Sequence, residues 1–167
     1  MCIRDSRKGN YIYVDVGGGS TEINFLSKGE LMCSRSYNIG TVRILNNAVK
    51  DTEWDRLRLD MEELSRSYPQ INIIGSGGNI NKLYRLIEKK DKKLKRMSVA
   101  SLHHLHDALK ALSVEERMEQ YSLKPDRADV IVPAGDIFLT IADILHSTYI
   151  YVPIIGLSDG IIDCLYR

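Results

Sequence analysis

The octapeptide DVGGGSTE, running from Asp15 to Glu22, sets two carboxylates around three glycines and two hydroxyls. Gly17, Gly18 and Gly19 remove every β-carbon that would hold a bulky anion away from the backbone amides, and Ser20 and Thr21 add hydroxyl donors. Asp15 and Glu22 would repel a phosphate that came alone. They make sense beside one if a divalent cation or an attacking water lies between, because Mg2+ takes one or two hard carboxylate oxygens and leaves its other positions to water and phosphate. The turn lacks the Lys-Ser/Thr pair of a P-loop, and the residues after it alternate as a strand, so it is not a dinucleotide-binding elbow either. An ordinary glycine hairpin is the competing explanation.

A second glycine turn, Gly75, Ser76, Gly77, Gly78 and Asn79, leads into a helical pattern. The first amides of a helix are unpaired and carry partial positive charge, a suitable seat for a phosphate or a nucleoside edge. The alternative is a plain N-cap by Ser76 or Asn79. A third turn, with Gly156 and Gly160, reads as close packing without a ligand, and Asp159 and Asp163 as a cap and a surface charge. His103 and His106 share a helical face with His104 beside them, but no carboxylate or cysteine completes a metal set, so they read as solvated helix histidines.

The elements that must position these residues follow from periodicity. Residues 11–17, 23–27 and 31–39 read as a three-strand antiparallel meander. A helical pattern begins at Thr41, with Val42, Leu45 and Val49 on one face, and a second covers residues 51–68 through Trp54, Leu57, Met61 and Leu64. Residues 71–74 form a short strand before the second glycine turn and its helix. The basic run of residues 88–96 carries the chain round a corner as a solvated segment. Leu102, Leu105, Leu109 and Leu112 mark a helix, residues 115–121 a short one, and residues 128–146 a longer one holding Pro133 near its start. A strand over 148–152 and a final helix from Ser158 complete an α/β sheet covered by helices.

With 167 residues, 44% of them hydrophobic, the chain supports one core. Twenty-three basic residues against 22 acidic give +1, so no global field gathers nucleic acid or lipid, and any anion site must be local. Cys2, Cys33 and Cys164 lie far apart, without metal spacing, which suits a reducing compartment. Neither a membrane-spanning run nor a signal-peptide core is present, and the expected location is the cytoplasm.

DVGGGSTE, followed in order by GSGGN, DRADVIVPAG and GLSDG, resembles the exopolyphosphatase and guanosine pentaphosphate phosphatase (Ppx/GppA) family of the actin-like ATPase and sugar-kinase superfamily. The resemblance covers nearly the whole chain from Tyr11. It implies a ribonuclease-H-like lobe, the second of a pair that face each other across a cleft. Gly17, Gly18, Gly19, Ser20 and Thr21 would then lie on the phosphate chain. Asp15 and Glu22 would hold Mg2+ and orient the attacking water, and Gly75, Ser76, Gly77, Gly78 and Asn79 would face the nucleoside or line the phosphate channel. The implied reaction is release of orthophosphate from polyphosphate or guanosine pentaphosphate by attack of water, with no covalent enzyme intermediate.

The family's first lobe supplies a second phosphate loop and a catalytic glutamate, and neither has a counterpart here. Residues 1–10 are therefore expected to be a ragged start and 11–167 a single second lobe without its first lobe. That lobe would be half an active site, expected to be inactive alone and prone to self-association, as a homodimer for example, through an exposed inter-lobe surface. The rival reading is a phosphate- or nucleotide-binding module without catalysis. Neither nucleic acid nor membrane is an expected partner.

Overall fold

The computed structural model describes residues 9–153. Strands β1 (Asn10–Val16), β2 (Thr21–Ser27) and β3 (Glu30–Tyr37) form the meander that the alternation indicates. They are followed by helices α1 (Thr41–Leu45) and α2 (Asp51–Ser67), strand β4 (Ile71–Ser76) and helix α3 (Gly78–Leu86). Strand β5 (Arg96–Ser98), helices α4 (Val99–Lys110), α5 (Val114–Tyr121), α6 (Pro125–Ala128) and α7 (Ile131–Ile144), and strand β6 (Tyr149–Tyr151) complete the described chain. The six strands lie in one sheet in the order β3-β2-β1-β4-β6-β5. β4 pairs in parallel with β1 and β6, while β2, β3 and β5 run antiparallel to their neighbours.

Register explains the core. Phe25, Ile12, Ile73 and Ile150 are lateral partners across four strands, and each is buried to 0% exposure. One face of the sheet therefore presents a continuous apolar row. Against it lies α7, which packs on α1, α2, α3 and α4 as well as on β1. Its residues Ala134, Ile137, Phe138 and Ile141 are buried. A helix buried on this scale draws its stability from packing rather than from propensity.

Three elements depart from the sequence reading. The helix at Thr41 is a single short turn that leaves Val42 and Leu45 exposed, and Val49 lies beyond its end. Residues 128–146 are not one helix: α6 stops at Ala128 and α7 starts at Ile131. Pro133 has no N–H to continue the ladder from α6, and it is tolerated in α7 only because first-turn amides lack intrahelical partners anyway. The basic run ends in an edge strand, β5, that periodicity over three residues could not reveal. Within that run Lys90 Nζ donates to the carbonyls of Tyr84 (2.8 Å) and Arg85 (3.1 Å) at the end of α3, so part of the charge serves as a helix cap. The third glycine turn and the last helix, with Gly156, Asp159, Gly160 and Asp163, lie outside the described residues, as does most of the 1–10 segment.

No helix among the described residues is long and apolar enough to cross a membrane. Tyr37 ties the meander to α2, its hydroxyl donating to Asp60 Oδ2 at 2.7 Å. Burial first, then that carboxylate, holds the Tyr37 phenol well above its ordinary range. Phe138→Ala is expected to lower stability by about 3–5 kcal/mol in urea unfolding, because the ring is fully enclosed.

Candidate functional site

Asp15 and Glu22 are direct cross-strand partners, and on their flanks Asp15 pairs laterally with Ser76 and Glu22 with Ser36. Side chains of lateral partners share a face, so Ser36, Glu22, Asp15 and Ser76 form a polar row where β1 and β4 end. This row lies on the opposite side of the sheet from Val14 and Val16, which point into the core. Glu22 Oε1 accepts from both Ser20 Oγ (2.9 Å) and Ser36 Oγ (2.8 Å), which fixes the carboxylate. Burial raises the Asp15 carboxyl above its ordinary value, and Glu22 beside it raises it further. Two facing carboxylates offer the hard oxygens that a divalent cation such as Mg2+ takes.

The first glycine turn is held from behind. Thr41 N donates to Gly17 O at 3.0 Å, Val42 N and Arg43 N to Gly18 O at 3.0 and 3.3 Å, and Arg43 Nε to Gly19 O at 2.6 Å. No peptide bond among the described residues is cis. In a trans peptide the N–H points opposite to the preceding C=O. With the carbonyls of Gly17, Gly18 and Gly19 turned toward α1, the amides of Gly18, Gly19 and Ser20 turn away from it. None of these three amides donates to another group among the described residues.

The glycines there have a specific reason. None of Gly17, Gly18 and Gly19 has a positive φ, so the turn's conformation alone does not demand them. A Cβ at Gly19 would meet nothing within 4 Å, which leaves room for something other than protein. Gly40, which the sequence reading passed over, is the sterically required glycine. A Cβ there would come within 2.7 Å of the Gly19 carbonyl carbon and closer still to Gly18.

Thr21 does not face the turn's open side. It is fully buried, and its hydroxyl donates to Ile39 O at 2.6 Å, so its one proton steadies the chain into α1 rather than an anion. Ser20 stays at the turn, though its hydroxyl proton is given to Glu22.

The second turn is also divided by role. Gly75 faces the core: a Cβ there would lie 2.9 Å from Ile80 Cγ1 and 3.0 Å from Phe138 Cε1. It packs against the core. Gly77, with φ +107°, is the N-cap of α3 and has no side-chain cap, so neither Ser76 nor Asn79 caps the helix. Its glycine conformation lets the chain pass beneath Asp15, whose Oδ1 would be 3.2 Å from a Cβ at that position. The two turns therefore meet at Asp15. Arg127 of α6 bonds through Nη1 to Asn79 Oδ1, and its Nη2 occupies the space a Gly78 side chain would need, 2.7 Å from that Cβ position. This guanidinium belongs to the DRAD block, and its partner lies 48 residues away, a contact no local pattern discloses.

The histidines are a correction. His103 Nε2 lies 2.9 Å from Asp143 Oδ1, and His106 Nε2 lies 2.9 Å from Asp136 Oδ1 and 3.2 Å from Val132 O. Carboxylates of α7 do meet the histidine face, and His106 is buried rather than solvated. Still, no group of three or more His, Cys, Asp or Glu among the described residues converges to hold a metal.

A six-strand mixed sheet with helices packed on its apolar face has the α/β fold of the actin-like ATPase type. The model of the Ppx/GppA phosphatase family matches residues 2–166, and the chain belongs to that family. Among solved structures it is similar to the Aquifex aeolicus Ppx/GppA family member, with 28% identity and a TM-score of 0.68 over 93% of this chain and 55% of that one. It is similar also to the type II variant of the Aquifex aeolicus Ppx/GppA phosphatase, with 28% identity and a TM-score of 0.69 over 93% and 56% of the two chains. An exopolyphosphatase from Cytophaga hutchinsonii shares the fold, with 20% identity and a TM-score of 0.73 over 95% and 57%. The chain thus spans little more than half the length of these structures. No curated protein matches it.

Two glycine substitutions separate scaffold from seat. Gly40→Ala is expected to cost about 1–3 kcal/mol in urea unfolding, since the turn's backbone must move. Gly19→Val is expected to change stability by no more than about 0.5 kcal/mol, yet to weaken binding of inorganic tripolyphosphate measured by calorimetry.

Proposed function

We propose that this chain is the phosphate-anchoring lobe of a phosphoanhydride hydrolase that removes the terminal phosphate of inorganic polyphosphate or guanosine pentaphosphate in the cytoplasm. The observation that carries the reading is the set of uncommitted amides at Gly18, Gly19 and Ser20 beside the Asp15–Glu22 pair. These amides bind phosphoryl oxygens and lose no reorganisation energy in doing so, because α1 already holds their peptide planes. Asp15, with the oxygen of Glu22 that its serines do not use, would hold a divalent cation such as Mg2+, which would neutralise charge on the phosphate. Asp15 and Glu22 also accept hydrogen bonds from an attacking water and orient it. Ser36 and Ser20 keep Glu22 in place for that task. Arg127 and the open amides at the start of α3 supply a second set of donors for the next phosphates or the nucleoside.

The chain acts, in this proposal, with a second lobe that contributes further phosphate contacts and the catalytic base, as the family resemblance implies. Alone it is expected to release little orthophosphate. The same interface surface is the one through which isolated copies would pair.

A binding module without turnover is the other reading, and the double engagement of Glu22 Oε1 by serines favours it, since a structural carboxylate is held in the same way. Glu22→Gln in the two-lobed protein separates the two. Orthophosphate release from tripolyphosphate is expected to fall by about 10²–10⁴-fold, with binding of tripolyphosphate changed only modestly. Unchanged turnover would favour the binding module.

A further inference from the structure

Arg43 does more than its part in holding the first turn accounts for. Its side chain leaves α1 and crosses to the first glycine turn, where Nε donates to Gly19 O at 2.6 Å. The side chain is exposed and forms no ion pair with a carboxylate among the described residues. Its Nη1 and Nη2 groups have no hydrogen-bond partner among those residues. A guanidinium carries five N–H donors in a planar fork. One of them is used on the turn, and the rest remain available.

We propose that Arg43 is a positioning residue for the phosphate chain: its Nε sets the Gly19 carbonyl, and hence the Ser20 amide, and its unpaired guanidinium adds positive charge at the turn. This rests on the phosphate-anchoring reading above. Two physical arguments lead to it. Gly17 O and Gly18 O are held by backbone amides of α1, but the Gly19 carbonyl depends on a side chain alone. The third peptide plane is therefore the one a substitution can release. The second argument is charge. Asp15 and Glu22 flank one side of the turn and repel a polyanion, and Arg43 places a permanent positive charge behind it, which offsets that repulsion through its field rather than by contact.

The amides of α1 themselves are not the seat, since those of Thr41, Val42 and Arg43 are already given to the turn. Nor can lysine reproduce the arrangement. An ammonium keeps the charge but lacks the planar fork that fixes the donor's direction at Gly19 O.

The test is calorimetric titration of this chain with inorganic tripolyphosphate in the presence of Mg2+, for the wild type, Arg43→Ala and Arg43→Lys, with thermal melting of each. Arg43→Ala is expected to weaken binding by about tenfold or more, with a melting temperature close to the wild type because the side chain is exposed. Arg43→Lys is expected to regain only part of that loss. Either variant binding as tightly as the wild type would overturn the proposal while leaving the phosphate-anchoring reading intact. If Arg43→Ala fails to fold, Arg43→Lys decides alone. A wild-type chain that does not bind tripolyphosphate would instead sink the phosphate-anchoring reading itself.

Discussion

The site depends on three backbone carbonyls being held from one side. Gly17 O, Gly18 O and Gly19 O all accept from the start of α1 or from Arg43. Peptide planarity converts that into three amides aimed the other way, without any side chain having to point them. The consequence reaches back through the fold. α1 can sit there only because Gly40 has no side chain, because Thr21 anchors Ile39 from within the core, and because α7 supports α1 from below. The core thus fixes α1, and α1 fixes the turn.

The carboxylates belong to the sheet rather than to the turn. Asp15 and Glu22 are adjacent because β1 and β2 pair in register, and a slip of one residue between them would put the two carboxylates on opposite faces. The apolar row of Phe25, Ile12, Ile73 and Ile150 prevents that slip. Packing energy on one face therefore holds two mutually repelling groups together on the other. Burial and mutual repulsion both raise the Asp15 carboxyl, a strain that a bound cation would relieve.

Much of this was legible in the sequence. Alternation marks the meander, a short apolar run ended by glycine marks β4, spacing marks α2 and α4, and DVGGGSTE marks the first turn with its carboxylates and the family. Local pattern failed where the cause was distant. Thr21 looks like Ser20 in sequence, yet it falls on the buried side of β2, as alternation from Ile23 in fact implies. Gly75 resembles its neighbours in GSGG, but its lateral partner Val14 faces the core, so packing claims it. Arg43, Arg127 and Gly40 act on turns 24, 48 and about 22 residues away, and only the register and the helix packing bring them there. The carboxylates that meet the α4 histidines are not visible in the local sequence because Asp136 and Asp143 sit on another helix.

The central claim is that the amides of Gly18, Gly19 and Ser20 form a preorganised anion seat. Backbone amide NMR of this chain, titrated with inorganic tripolyphosphate in Mg2+, tests it most directly. These three amide protons are expected to move downfield together and to saturate with one affinity. The account is contradicted if tripolyphosphate leaves all three unmoved, or if it binds while shifting only amides remote from the turn.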